Sequence, residues 1–395
     1  MKWWKMAAAG LLILSVAVCP WLRWGPEAAA ADEKVQLEDK DFPEPKGNIT
    51  TEHYICYHTA GPIAMDGKLD EPSWDKAPWT SYFIDIEGDR VRPKPYLKTR
   101  VKMLWDEENL YIAAELEEPH VWGTLTQRDC VVCYDNDFEV FIDTNGDTHH
   151  YYEYEMNALN TVWDLLLPCP YRDGLAMTID AWDIQGLKTA VHVRGTLNDP
   201  SDTDEGWSAE LAFPMRVMKA SWYQPPAPPK SGEQWRINFS RVEYEVKVED
   251  GKYVKTAKPC ENWTWSNQGI CNMHYPEMFG ILQFSTKIVG EGTDAFIPHP
   301  DDDEAKGLLR KIYYREKQYQ KKTGKFTTNL EALGIEPRKM TYCEWPPVVQ
   351  ITDSLFEARI DAQPGQGGEP RKRWHIRQDS KTWTTEIGGA AAKAE

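Results

Sequence analysis

Residues 135–164, DNDFEVFIDTNGDTHHYYEYEMNALNTVWD, alternate in polarity with a period of two on both sides of an Asn145–Gly146 turn, and this pattern constrains the fold most. Strand side chains point alternately to two faces, so Phe138, Val140 and Ile142 share one face and Asp137, Glu139 and Asp143 the other. In the second run Tyr152, Tyr154, Met156 and Ala158 form the apolar side, and Tyr151, Glu153, Glu155 and Asn157 the polar side. Antiparallel pairing would bury the first set in a core and bring carboxylates, an amide and a tyrosine together on the opposite face. That is the inventory that grips hydroxyl-rich ligands. The solvated outer face of a half-buried sheet shows the same alternation.

Short strands of this kind recur from Tyr54 to Phe284. LKTRVKMLW (97–105) and LYIAAELEE (110–118), separated by Asp106 to Asn109, read as a hairpin, and further strands are predicted at 188–197, 206–214, 234–246 and 279–285. Polar and proline-rich clusters such as NDPSDTDEG and PPAPPKSGE separate them. The chain is therefore mainly β, with an antiparallel β-sandwich over 49–290. Beyond Gly290 the period changes. Leu308, Leu309, Ile312, Tyr313 and Tyr319 follow helical spacing within 302–322, behind an acidic first turn and ahead of Gly324. This is a docked amphipathic helix. VVQITDSLFEARIDA and RKRWHIRQD add strands, so 300–385 is a small C-terminal α+β appendage. Residues 32–48 read as a charged linker and 386–395 as a flexible tail.

The first 31 residues carry Lys2 and Lys5, an apolar run from Met6 to Val18 and small residues before Asp32, which is the pattern of a signal peptide. The expectation is export, to the periplasm, the cell surface or the medium of a bacterium, with membrane contact only if this segment is uncleaved. A net charge of −17 excludes nucleic acid as a partner. Removing Cys19 with the leader leaves an odd number of cysteines in an oxidising compartment. Disulfides are predicted among Cys130, Cys133, Cys260 and Cys271; a zinc site would need a second ligand pair that the sequence lacks.

Asp143, Asn145 and Asp147 offer clustered oxygens like part of a calcium loop, and Asp66 offers another. They lack the bidentate glutamate of such a loop, so a plain turn is the competing reading. Glu139 and Glu155 could also form the carboxylate pair of a glycoside hydrolase.

Five blocks, DGKLDEPSW (66–74), VKMLWDEENLYIAAELEEPHVW (101–122), DNDFEVFIDTNGD (135–147), GTLNDPSDTDEGWSAELAFPM (195–215) and WTWSNQGICNMHYPEMFG (263–280), occur in an order and spacing that resemble the family 9 carbohydrate-binding module, in its stand-alone secreted branch. The resemblance implies a jelly-roll or DOMON-like sandwich that binds a poly- or oligosaccharide without catalysis. It also implies structural calcium and work alongside glycan-degrading enzymes. It places the family's ligand-binding carboxylate on Glu139 and its asparagine on Asn157. Glu155 stands where the family has arginine, and Ser240, followed by Arg241, where it has glutamine. The two clamping tryptophans fall near Cys133 or Tyr134 and near Met273, so the clamp is missing. Cys133 and Cys271 then lie near those positions, where a bridge would fix the rim of the site. Trp263, Trp265, Asn272, His274 and Tyr275 are the residues expected to complete the site from the last loop. Relatives of this sandwich hold b-type haem, for which Met156, Met273 and His274 are available.

Overall fold

The computed structural model describes residues 35–46, 51–173, 178–218, 227–364 and 371–387. The predicted signal peptide lies outside them. The strands are β1 (His53–His58), β2 (Ile84–Asp85), β3 (Thr99–Trp105), β4 (Asn109–Glu117), β5 (Asp137–Asp143), β6 (Tyr151–Asn157), β7 (Val162–Leu167), β8 (Lys188–Arg194), β9 (Gly206–Pro214) and β10 (Gln234–Glu243). They continue as β11 (Val246–Glu249), β12 (Lys252–Lys255), β13 (Glu261–Thr264), β14 (Gly280–Ile288), β15 (Val348–Ile351), β16 (Phe356–Asp361), β17 (Arg371–Arg377) and β18 (Thr382–Ile387).

Ten strands follow one another as β7-β6-β5-β10-β14-β1-β3-β4-β9-β8, with β13 on β10 and β2 on β13. Alternation makes each strand apolar on one side, and the sheet buries that side by curling until its halves face each other. Val140, Met156, Phe239 and Phe284 of one half thus share a core with Val101, Ile112, Trp207 and Leu211 of the other. The result is the mainly β sandwich expected, with one exception to antiparallel pairing: β1 runs parallel to both β14 and β3. The β3–β4 hairpin is set locally by Asp106, whose Oδ1 accepts the N–H of Glu108 at 2.8 Å and of Asn109 at 2.7 Å.

Where β9 begins, Gly206 has φ 133°, and a Cβ there would lie 2.0 Å from the carbonyl oxygen of Leu116 on β4. The neighbour is backbone in a central strand and cannot move aside. Gly206→Ala is expected to cost about 2–4 kcal/mol, read as a lower denaturation midpoint; an unchanged midpoint would show that β4 yields.

The helix forms as Pro300–Thr323, with Pro300 in its first turn, three aspartates behind it and Gly324 closing it at φ 78°. Its apolar stripe, Leu308, Leu309, Ile312, Tyr313 and Tyr319, packs on Phe356, Ala358, Trp374 and Ile376 of a four-stranded sheet, β15-β16-β17-β18. Among the described residues no helix is long and apolar enough to cross a membrane.

Two expectations need correction. Residues 35–46 are no free linker: Val35, Leu37 and Phe42 pack into the appendage core, and Glu44 pairs with Lys311 at 2.8 Å. Glu386 and Ile387 are not tail but the end of β18, paired with Lys372 and Arg371. The β11–β12 hairpin and β18 have no strong alternation and escape a reading by period alone.

Candidate binding site

Strand register builds a continuous row across one face of the sheet. Ser240 on β10 lies opposite Glu139 on β5, Glu139 opposite Glu155 on β6, and Glu155 opposite Trp163 on β7. One step along, Asp137 lies opposite Asn157; one step the other way, Phe141 lies opposite Glu153. This is the face that alternation assigns as polar, but it is not solvated. Segment 271–279 folds over it, and Phe141, Tyr151, Leu165, Leu167, Met273 and Phe279 make a second core against Ile86. Glu139 is only 5% exposed and Glu155 3%, while Asp137 and Ser240 are sealed. Burial accordingly pushes the Glu139 carboxyl up to about 7 and raises Asp137, Glu153 and Glu155 well above the usual carboxylate range.

Asn157 is spent on structure. Its Nδ2 donates to the Leu125 carbonyl at 2.9 Å and to Asp135 at 3.1 Å, and its Oδ1 accepts the N–H of Leu159 and of Thr161, each at 3.0 Å. Arg241 cannot join the row, because it neighbours Ser240 in sequence and so emerges on the opposite face. There it pairs with Glu118 at 2.9 Å and Glu243 at 2.7 Å, against Trp263. Trp263 and Trp265 are core residues for the same reason of parity. Tyr275 belongs to the appendage interface, its ring beneath Arg172 and its hydroxyl on the Pro43 carbonyl. Asn272 caps its own turn, its Oδ1 accepting the N–H of His274 at 2.7 Å. His274 does reach the face. Its Nδ1 meets the Tyr151 hydroxyl at 2.9 Å and its Nε2 lies 3.9 Å from Glu153, with burial holding the ring down at about 3 and hence neutral.

The residues proposed for calcium lie in a turn. Asp143 accepts the N–H of Gly146 and of Thr148, each at 2.8 Å, Asn145 accepts that of Asp147, and Asp147 that of His149. Asp66 is engaged by the N–H and ammonium of Lys68. Cys130, Cys133, Cys260 and Cys271 are all free thiols in the structure, so no bridge fixes the rim. Of the residues named for haem, Met156 lies in the main core, whereas Met273 lies in the second core and His274 meets Tyr151 on that same side, so Met156 shares no site with either.

An open cavity lies elsewhere among the described residues. At the Tyr152 end of β6, a cavity of about 1050 Å³ is lined by Tyr152, Trp182, His149, His150, Asn145, Asp183, Gln185 and Arg216. Tyr152 and Trp182 stack with centroids 5.0 Å apart and planes 23° from parallel, and both stay partly exposed. Asn145, His150, Asp183, Gln185 and Arg216 form an exposed polar rim. Arg216 donates to the Gln185 carbonyl at 3.3 Å, and Asp183 accepts from Arg128 at 2.8 Å. An aromatic floor ringed by donors and acceptors is suited to a polar ligand with an apolar face. Sequence reading assigned Tyr152 to the core side and passed over Trp182. The available signal was a tryptophan in AWDIQG, a stretch with no strand period to bury it.

Residues 65–166 match the family described as "Carbohydrate family 9 binding domain-like". No curated protein matches the chain. Among solved structures, a carbohydrate-binding module family 9 from Caldicellulosiruptor kristjanssonii in complex with cellotriose is 16% identical with a TM-score of 0.37, covering 62% of this chain and 100% of its own. The same organism's module in complex with glucose is 17% identical with a TM-score of 0.36, over 62% and 100%. A putative carbohydrate-binding protein from Bacteroides uniformis is 15% identical with a TM-score of 0.44, over 60% and 100%.

Proposed function

We propose that this chain, whose segment from Met65 to Leu166 is a carbohydrate family 9 binding-like domain, is a non-catalytic saccharide-binding protein that seats a sugar ring on the Tyr152–Trp182 stack. The observation that carries the site is the cavity itself: a partly exposed aromatic pair for the C–H side of a ring, with an amide, an imidazole, a carboxylate and a guanidinium around it for the hydroxyls. The acidic row is the weaker seat, because a carboxylate 5% exposed cannot meet a sugar ring without moving segment 271–279. The same closure supports the non-catalytic reading. Glycoside hydrolysis needs two carboxylates placed across a scissile bond, whereas Glu139 and Glu155 sit side by side on one closed floor. The leader pattern supports export, where a binding module would work beside glycan-degrading enzymes.

The experiment is affinity electrophoresis of the full chain in gels cast with neutral polysaccharides, followed by calorimetry with the best oligosaccharide. Trp182→Ala is expected to weaken binding at least about tenfold, or ~1.4 kcal/mol, and Glu139→Gln to leave it unchanged. The reverse pattern would move the site to the acidic row. Retardation by no glycan would remove the reading altogether.

A further inference from the structure

We propose that the cavity between the sandwich and the C-terminal helix binds a doubly charged oxyanion group, phosphate or sulfate, on Arg236, Arg310 and Lys306. The proposal stands apart from the saccharide reading, since the Tyr152–Trp182 cavity is lined by none of these three residues. It rests on three observations.

The first is geometry. Lys306 and Arg310 are four apart on the helix and share a face with Gly307, beside the apolar stripe that packs on the appendage sheet. That face turns towards the sandwich, where Arg236 of β10 and Gly146 of the β5–β6 turn form the opposite wall. The space enclosed is about 780 Å³. Gly307 leaves the helix surface bare there: an added Cβ would meet nothing within 4 Å, so no packing contact requires the glycine.

The second is unmet bonding. Arg236 donates from Nη1 to the Phe279 carbonyl at 2.9 Å, and Arg310, 9% exposed, from Nη1 to the Ser380 carbonyl at 2.6 Å. A guanidinium carries five N–H donors, and among the described residues no carboxylate lies within ion-pair distance of either arginine. The acids of the lining are committed elsewhere or stand back. Glu44 accepts from Lys311 at 2.8 and 3.0 Å, and Glu277 is held by Arg172 at 2.9 Å and Tyr314 at 2.5 Å. Asp303 is exposed. Lys306 pairs with Asp302 at 3.3 Å, but Asp302 also accepts from the Trp374 indole at 2.8 Å and from Lys372.

The third is charge. Burial lowers both Arg236 and Lys306 from their ordinary values, and Arg310 repels each of them, against the longer-range pull of Asp303, Asp143 and Glu277 on Arg236 and of Asp302 on Lys306. Cations that lose water in this way need an anion. Guanidinium forks match the oxygens of phosphate and sulfate, and two arginines without carboxylate partners match a double charge. The net charge of −17 repels anions from the chain as a whole, so retention of one has to come from a local site.

The test uses the full chain, dialysed to equilibrium against radiolabelled inorganic phosphate or sulfate at an ionic strength fixed with sodium chloride. The expected result is one oxyanion per chain, unaltered by Arg359→Gln on β16. Arg236→Gln, Arg310→Gln and Lys306→Gln are each expected to weaken binding at least about tenfold. The Lys306 side chain is 34% exposed, so its replacement leaves the core untouched and reads the loss of binding even where an arginine variant does not fold. Glucose 6-phosphate, with glucose as the neutral control, distinguishes the sources: tighter binding than inorganic phosphate assigns the site to an oxyanion borne by a sugar, and equal or weaker binding assigns it to the free ion. The proposal is overturned by absence of stoichiometric binding of either ion, by binding that survives in the Lys306 and arginine variants, or by acetate competing as well as phosphate.

Discussion

Arg172→Met is expected to destabilise the protein by about 3–5 kcal/mol, the usual consequence of leaving one partner of a buried ion pair uncompensated. The Arg172 side chain is 5% exposed and reaches Glu277, 9% exposed, at 2.9 Å. Its guanidinium also stands over Tyr275 and donates to the hydroxyl of Tyr313 on the C-terminal helix, while Tyr314 donates to Glu277 at 2.5 Å. One pair therefore ties the loop after β7, the segment before β14 and the helix together. Burial alone would raise Glu277, but Arg172 and Arg310 overturn it and hold the carboxyl at about 2 against its ordinary 4.5. The unfolded chain thus binds this proton more readily than the folded one. The stabilisation is complete above about pH 4.5 and is lost as pH falls towards 2. Denaturant melts of the wild type should weaken across that window, and those of Arg172→Met should change less there. A loss under 1 kcal/mol at pH 7 would mean that the appendage docks by its apolar contacts alone.

That interface was invisible in the sequence for a physical reason. Periodicity reports which side of an element is apolar, and it assigned the helix stripe from Leu308 to Tyr319 and the two faces of β5 and β6 as the structure has them. It does not report what covers a polar side. The face bearing Glu139 looks solvated because its residues are charged, yet segment 271–279 closes over it, and only the tertiary path of the chain decides this. Parity was a sharper instrument than residue chemistry. Applied to β10, it separates Ser240 from Arg241, which a list of polar residues near a site joins. The Asp143 turn shows the same limit in miniature, since its oxygens suit calcium by type while residue type does not reveal the backbone N–H groups they accept.

Asn157→Ala is expected to cost about 2–4 kcal/mol of stability, from several lost hydrogen bonds and newly orphaned groups at about 1 kcal/mol or more each, and to leave saccharide affinity unaltered. On family resemblance this amide would be a sugar ligand, dispensable for the fold. Its surroundings argue the opposite. It is sealed from solvent, and its four hydrogen bonds close the β6–β7 turn and fasten it to Leu125 and to Asp135, which itself holds the N–H of Thr124 and Leu125. Truncation would orphan the Leu159 and Thr161 N–H groups at the turn where Asn160 holds φ 60°. Asn157→Asp keeps both acceptor contacts but loses the two donors and sets a carboxylate against Asp135, so it is expected to be at least as damaging at pH 7. Denaturation midpoints of the two variants, with affinity measured on the folded fraction, separate the roles. If Asn157→Ala keeps the wild-type midpoint and loses the sugar, the amide is a ligand after all, and the acidic row must open in solution to admit it.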